Sequence, residues 1–357
     1  MIVTEVALRD FRSYARQELE LPAGLTLIVG PNGAGKTNLL EAVHVGTQGT
    51  SLKTRRDTRA VRFGAPAARV GTRGRRGANV SFSTEVTIEP GDGKGIRLNG
   101  ALVASAEELR KELPVLAFTP DRLAVVKGGP LVRRTYLDRM IGRVLPRRAG
   151  LPGEYAQALA QRNAALRRAR ARISDRASIT PWTEALVRLA NELEETRARV
   201  IGDLAPRFVA HAKTLGLADA VLEYEPRGIS SAELDSRLER DIERGSTSAG
   251  PHLRELGLTT RSRELRAFGS QGEQRLALLA LLLAEAELLA ELRGEPPLLL
   301  FDDVLSELDE HHRGALLQGL PAGCQTLVTA TSLRSLPGDL VTPALVVDVT
   351  PGRASPR

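Results

Sequence analysis

The sequence predicts an α/β protein: a mixed sheet extended by antiparallel strands, with a short α-helical lobe inserted into it. Three observations carry that expectation. A strand, a glycine-rich loop and a helix follow one another over residues 25–45, strand patterns gather at both ends of the chain, and the middle replaces them with apolar stripes at helical spacing.

From the N-terminus, Ile2–Leu8, Gln17–Leu21 and Leu25–Val29 read as strands, because apolar residues alternate or run together between turn residues such as Pro22 and Gly24. A helix is expected at Thr37–Val45. The stretch "NVSFSTEVTIE" at 79–89 alternates like a half-buried antiparallel strand, and "GDGKG" after it reads as a turn. A helix at Pro130–Leu145 opens the lobe. Tyr155, Leu159, Leu166, Ala169 and Ile173 share one stripe, and Trp182, Leu186, Leu189, Leu193 and Val200 share another. With Ser178–Pro181 as a turn between them, they predict an antiparallel helical hairpin of about three to five turns per arm. A further helix is expected at Ser231–Glu243. Beyond Gly250 strand and helix signals alternate again, with strands at Leu298–Phe301, Gln325–Thr329 and Ala344–Val349 and a frayed tail, "TPGRASPR". Residues 1–129 and 246–357 are thus expected to form the two halves of one domain, with 130–245 as the inserted lobe.

At 357 residues and 42% hydrophobic content the chain can build a substantial core. Its single cysteine, Cys324, excludes an internal disulfide and any cysteine-based metal cluster, which suits a reducing cytoplasm. The opening "MIVTEVALRDF" lacks the basic end and apolar stretch of a secretory signal. The longest apolar run, Leu276–Ala284, falls far short of the ~20 residues that span a bilayer, and Glu285 and Glu287 interrupt its continuation. No membrane span and a cytoplasmic location are therefore expected.

The net charge of +7 conceals an uneven distribution. Residues 53–76 carry nine Lys or Arg against one Asp, and residues 131–176 carry twelve Arg against three acids, leaving the remainder of the chain about −10. Positive charge concentrated in this way suits a surface that meets a polyanion. Lys53, Arg55, Arg56, Arg59, Arg73, Arg75 and Arg76 in the first segment are candidate contacts to DNA phosphates. So are Arg162, Arg167, Arg168, Arg170 and Arg172 on the hairpin. Aromatic residues make up only 3% of the chain, so base stacking is a poor candidate for the main attraction. Binding dominated by phosphates, nonspecific in sequence and steeply salt-dependent is expected.

The chemistry concentrates in two motifs. "LTLIVGPNGAGKTNLLEAV" holds Gly30, Pro31, Asn32, Gly33, Ala34, Gly35, Lys36 and Thr37 between an apolar strand and an amphipathic helix, a full match to the phosphate-binding P-loop in its required setting, and these residues together with Asn38 are the candidate nucleotide contacts. Glycines let backbone amides curl around phosphates, and the helix N-terminus adds partial positive charge. Lys36 is expected to reach the β- and γ-phosphates of ATP and the Thr37 hydroxyl to ligate Mg2+. The second motif, "PPLLLFDD" at 296–303, is an apolar strand ending in two carboxylates. Placed beside the P-loop strand, it sets Asp302 at the magnesium and Asp303 near the γ-phosphate, where it can polarise a water.

After Asp303, "VLSELDEHHR" resembles the D-loop of ABC-type ATPases, and "GSQGEQR" at 269–275 resembles their signature motif. The resemblance implies an ABC-type P-loop ATPase head in which Ser270, the Gly272 amide and the helix dipole grip the γ-phosphate held by a second copy. An ATP-dependent homodimer follows, because a P-loop and a signature in one chain do not complete the same site. The signature departs from the usual pattern at Gly269, where leucine is common, and at Gln271, where glycine is common. Thr331 stands where transporters carry a switch histidine, and no Q-loop glutamine is evident between Phe118 and Asp121. Tyr14 is read either as a neighbour of adenine or as core.

Further stretches resemble the RecF family of bacterial recombination mediators: "LRDFRSY" at 8–14, "FTPDRLAVVKGGPLVRRTYLDRMI" at 118–141, "AGPH" at 249–252 and "FGSQGEQRLALLALLLAEAELL". They cover nearly the whole chain in the family's order, although Leu253 and Arg254 replace the Arg-Asp pair that usually follows "GPH". The resemblance implies a DNA-binding ATPase that dimerises with ATP, helps to load recombinase at gaps and works with the partners RecR and RecO. Two alternatives are an ATP-binding transporter subunit, disfavoured by the concentrated charge and Thr331, and a largely non-catalytic SMC-like clamp, disfavoured by Asp303 beside Asp302.

Overall fold

The computed structural model describes residues 1–357 apart from 55, 78, 92 and 337–340. In chain order come β1 (Ile2–Phe11), β2 (Tyr14–Glu20), β3 (Leu25–Val29), α1 (Lys36–Gln48), β4 (Ala68–Arg76), β5 (Val80–Glu89), β6 (Gly93–Leu98), β7 (Ala101–Leu102), α2 (Ala106–Glu112) and β8 (Val115–Phe118). Then follow α3 (Ala124–Lys127), α4 (Pro130–Val144), α5 (Leu151–Arg170), α6 (Thr180–Thr214), β9 (Ala220–Glu223), α7 (Ser231–Ser236), α8 (Leu238–Arg244), β10 (Gly257–Thr260), β11 (Arg263–Glu264) and α9 (Leu265–Phe268). The chain closes with α10 (Gln271–Arg293), β12 (Leu298–Phe301), α11 (Glu310–Gln318), β13 (Thr326–Ala330), β14 (Leu345–Thr350) and β15 (Arg353–Pro356). Two compact units result: Met1–Leu123, Ala210–Ala218 and Ser270–Arg357 form one, and Ala124–Val209 with Asp219–Gly269 form the other.

The first unit holds two sheets. One, in the order β15-β14-β3-β13-β12-β8, is parallel from β14 to β8. Its strands β3, β13, β12 and β8 are buried at every residue, as their unbroken apolar runs require when both faces are covered. The other sheet, β2-β1-β4-β5-β6-β7, is antiparallel, and its strands alternate buried and accessible residues, one face packed and one open to solvent. Buried residues of α1, of the antiparallel sheet's inner face and of the parallel sheet make up one hydrophobic cluster. Almost all of α1 from Leu39 onward is buried. It approaches β4 so closely that a Cβ on Gly46 would stand 2.3 Å from the Thr72 methyl, which explains a glycine in mid-helix.

In the second unit, α5 and α6 form the expected hairpin and β9, β10 and β11 a small antiparallel sheet. The arms are longer than the periodicity indicated: α6 runs for 35 residues, about 50 Å, passing through Pro206. The expected stripe overshoots α5, since Ile173 lies beyond its end, after Arg172 at φ 57°, and is 76% exposed. Trp182 is also exposed, at 40%. Arg162 departs most sharply from expectation. Grouped in the sequence with surface arginines, it is wholly buried, paired with the equally buried Asp241 at 2.9 Å and hydrogen-bonded to Thr183 and Thr247. The helix expected at Ser231–Glu243 is broken at Arg237. At the C-terminus the expected frayed tail is instead β15, paired antiparallel with β14, with Ala354 buried and Arg357 bonded to Asp348.

Candidate nucleotide site

The loop from Gly30 to Gly35 joins the C-terminal end of β3 to α1. Gly33 and Gly35 adopt φ values of 80° and 114°, where a side chain is strained, and a Cβ on Gly30 would fall 2.4 Å from the Val349 carbonyl oxygen. No acidic residue and no side-chain cap occupies the first turn of α1, so its free amides can meet an anion. Lys36 is nearly buried, and its Nζ donates to the carbonyls of Gly30 (2.8 Å) and Pro31 (3.1 Å), arching the side chain back over the loop.

The β1–β2 turn braces this loop. Tyr14 is completely buried and its hydroxyl donates to the Gly35 carbonyl at 3.1 Å, so of its two readings the core one holds. Burial pushes its pKa up to about 12. Asn38 donates to Ser13 Oγ at 3.0 Å. Arg12, at φ 52°, forms a fork with the buried Glu41 of α1, at 2.9 and 2.7 Å.

The acidic strand reaches the loop in a way the sequence did not foresee. β12 is not the neighbour of β3; β13 stands between them. The gap is closed by Thr329 of β13, whose hydroxyl donates to Asp302 Oδ1 (3.0 Å) and accepts from the Asp303 amide (2.8 Å). The same Asp302 oxygen accepts from Thr37 Oγ1 at 2.8 Å, so P-loop and acid strand are already joined. Burial raises the pKa of Asp302, while the bonds from Thr37 and Thr329 and the positive charge of Lys53 pull it down. Asp303 sits at φ 54°, and its Oδ1 is buried without a hydrogen-bond partner. A buried carboxylate oxygen left unpaired is costly, and here it lies directly after the magnesium candidate. Thr329 itself escaped the sequence reading, because a threonine within a strand is an ordinary β-former.

Ser270 is the N-cap of α10. Its hydroxyl oxygen accepts from the Glu273 amide at 3.2 Å and its own amide donates to Glu273 Oε2 at 2.8 Å, a complete capping box. The hydroxyl proton remains able to donate outward. Ser270, Gln271 and Gly272 are all exposed, whereas α10 is buried along most of the length from Gln274 to Leu289. A Cβ on Gly272 would meet only Ser270 Oγ, at 3.9 Å, so nothing within the subunit demands a glycine there. Arg275 pairs with Glu307 at 2.7 Å, tying the tip of α10 to the segment that follows Asp303. Thr331 is exposed at the end of β13.

The basic candidates divide by partner. Lys53, Arg56, Arg59 and Arg75 are exposed, as are Arg167 and Arg168 in the second unit. Arg73 pairs with Glu5 at 2.9 Å, and the half-buried Arg76 pairs with Glu112. Arg55 lies outside the described residues.

A P-loop hydrogen-bonded to an acid pair at the ends of parallel strands, with a capped helix tip exposed beside the segment after Asp303, defines an ABC-type P-loop ATPase head. A family model described as "RecF/RecN/SMC N terminal domain" matches residues 2–336. The chain is 36% identical to the DNA replication and repair protein RecF of Gloeobacter violaceus, covering 99% of this chain and 98% of that one. It is 37% identical to the RecF of Acidothermus cellulolyticus, over 92% and 94%. It therefore belongs to the RecF family. A solved structure described as the recombination mediator protein RecF-ATP in the RecFOR pathway superposes with a TM-score of 0.85 at 26% identity, over 99% of this chain and 97% of that one. An SMC head bound to the C-terminal winged-helix domain of ScpA shares the fold, with a TM-score of 0.63 at 16% identity.

Proposed function

We propose that this chain is a DNA-binding ATPase that dimerises around ATP and acts as a switch in recombinational DNA repair. The RecF relatives are named for replication and repair, and the superposable solved structure is described as RecF with ATP in the RecFOR pathway. DNA and, at the level of the pathway, RecR and RecO are the partners this reading implies. Within it, residues 1–129 and 246–357 work as the ATPase halves and 130–245 as the lobe. Identity to RecF relatives over nearly the whole chain favours this reading over an ATP-binding transporter subunit.

One observation carries the reading: Thr37, Asp302, Thr329 and Asp303 form a continuous chain of hydrogen bonds that ends in an unpaired buried carboxylate oxygen. The residues fit Mg2+, which takes hard oxygen ligands and needs only one or two from the protein when phosphates complete its shell. Thr37 Oγ1 and Asp302 Oδ1 would hold it, and when bound it neutralises charge on the phosphates. Gly30–Lys36 cradle the phosphates. Lys36 exchanges its two carbonyl partners for phosphate oxygens. Asp303 orients the attacking water and accepts its proton, and the Ser270 hydroxyl and Gly272 amide of a second copy hold the γ-phosphate from the other side.

Asp303→Asn preserves the shape but cannot accept a proton. It is expected to bind ATP as the parent does, to hydrolyse it at least about a hundredfold more slowly, and to remain dimeric in ATP. In the parent, turnover is expected to be slow and to rise when DNA is added. Hydrolysis by Asp303→Asn at the parental rate would remove Asp303 from the mechanism.

A further inference from the structure

The solvent face of the antiparallel sheet carries a feature that the charge count did not single out. In register, Arg9 of β1 lies opposite Arg16 of β2 on one side and Arg69 of β4 on the other. Directly opposed residues of antiparallel strands project from the same face, so three exposed arginines stand in a row across three neighbouring strands. Like charges at such positions repel, and sheets normally relieve this with acids. Here that relief is partial. Glu18 pairs with Arg16 of the row itself, Glu5 pairs with Arg73 and Asp10 with Arg62, and Glu85 of β5 stands opposite Gly71, but Arg9 and Arg69 have no acidic partner among the described residues. Beside this row the sheet dips into an open trough of about 810 Å3, where Ala7 and Gly71, opposite one another, provide little side chain to fill it.

At the same end of the sheet stands Phe63, 101% exposed. It is not on a loose loop. Val61 bridges to Phe11 at the end of β1, the Arg62 amide donates to the Asp10 carbonyl (2.8 Å), and the Arg12 amide donates to the Ala60 carbonyl (2.8 Å). The Ala65 amide closes a turn onto the Arg62 carbonyl, with Gly64 at φ 81° in the position that requires glycine. A pinned turn therefore presents a whole aromatic ring to water next to uncompensated positive charge.

We propose that this face is a docking site for a DNA strand with unpaired bases: Arg16, Arg9 and Arg69 take successive phosphates and Phe63 stacks on a base. The proposal rests on the reading of the chain as DNA-binding and adds the site and the preferred form of DNA. Charge complementarity argues for a polyanion, and the aromatic ring argues for exposed bases, since a ring gains stacking area only where a base is not already paired and stacked. The β1–β2 turn at the edge of this face is the one that braces the P-loop through Ser13, Tyr14 and Arg12, so strand and nucleotide sit on two sides of one rigid turn.

The test measures binding of labelled single-stranded, gapped and duplex DNA to the full chain by fluorescence anisotropy across a salt series. Arg9→Gln with Arg69→Gln is expected to weaken every DNA form about tenfold or more and to lower the salt slope by roughly two. Phe63→Ala is expected to weaken single-stranded and gapped DNA by about fivefold to a hundredfold, to spare duplex and the salt slope, and to be rescued by Phe63→Trp. All variants keep parental ATP binding, because these side chains project into solvent. Parental affinity and slope in the arginine double variant, or an equal effect of Phe63→Ala on all DNA forms, would overturn the placement. A parent that binds no DNA would overturn the functional reading itself.

Discussion

At the scale of single residues, the site depends on groups whose polarity is matched only by one another. Thr329 serves both acids at once, and Thr329→Val keeps its shape while leaving Asp302 Oδ1 short of one donor and the Asp303 amide without its acceptor. Unfolding free energy is expected to drop by about 1–3 kcal/mol and ATP turnover to fall with it; chemical denaturation and a steady-state assay check the two together. His44 makes a different commitment. It is buried in α1 with Nδ1 donating to the Thr50 carbonyl at 2.8 Å, and burial, aided by Arg122, drives its pKa from 6.5 down to about 3. The unfolded chain therefore takes up this proton first. The stabilising contribution is complete above about pH 6.5 and is lost as pH falls toward 3, at up to about 1.4 kcal/mol per pH unit. Thermal melts between pH 7.5 and 5.5 should show a smaller decline for His44→Gln than for the parent; an equal decline would assign the acid sensitivity to other groups.

At the scale of elements, the tip of α10 is the sharpest case. Its capping box is satisfied within the chain, yet Ser270, Gln271 and Gly272 face solvent. Ser270→Arg should leave ATP affinity unchanged and block association in ATP, as light scattering would report; a normal ATP dimer from this variant would remove the tip from the interface. The legible part of the fold follows from the same physics. The strands Leu25–Val29 and Leu298–Phe301 were placed to the residue, because an apolar run closed by a glycine loop or an acid pair has few other readings. The interposition of β13 was not legible, since strand order is decided by tertiary pairing that leaves no local mark. β15 was missed because Pro351, Gly352 and Pro356 read as breakers, although they bound an edge strand. Arg162 looked like its neighbours in a basic run, and only Asp241, far along the chain, reveals it as a core residue.

At the scale of the whole molecule, what the sequence disclosed was an incomplete site. The P-loop, the acid pair and the signature could each be read from spacing and residue type, and the structure joins the first two through Thr37 and Asp302 while leaving the third exposed. The Arg275–Glu307 pair ties that exposed tip to the segment after Asp303, and in the proposed dimer it would couple a partner's grip on ATP to the proposed water-activating acid. On this proposal hydrolysis removes the phosphate on which the interface rests, and the enzyme works as a timer more than a motor. The most direct measurement is sedimentation of the purified chain with Mg2+ and ATP, with ADP, and with neither. A dimer in ATP and a monomer in the other two conditions is the expected result. A monomer in all three, at concentrations where ATP is bound, would contradict the shared site.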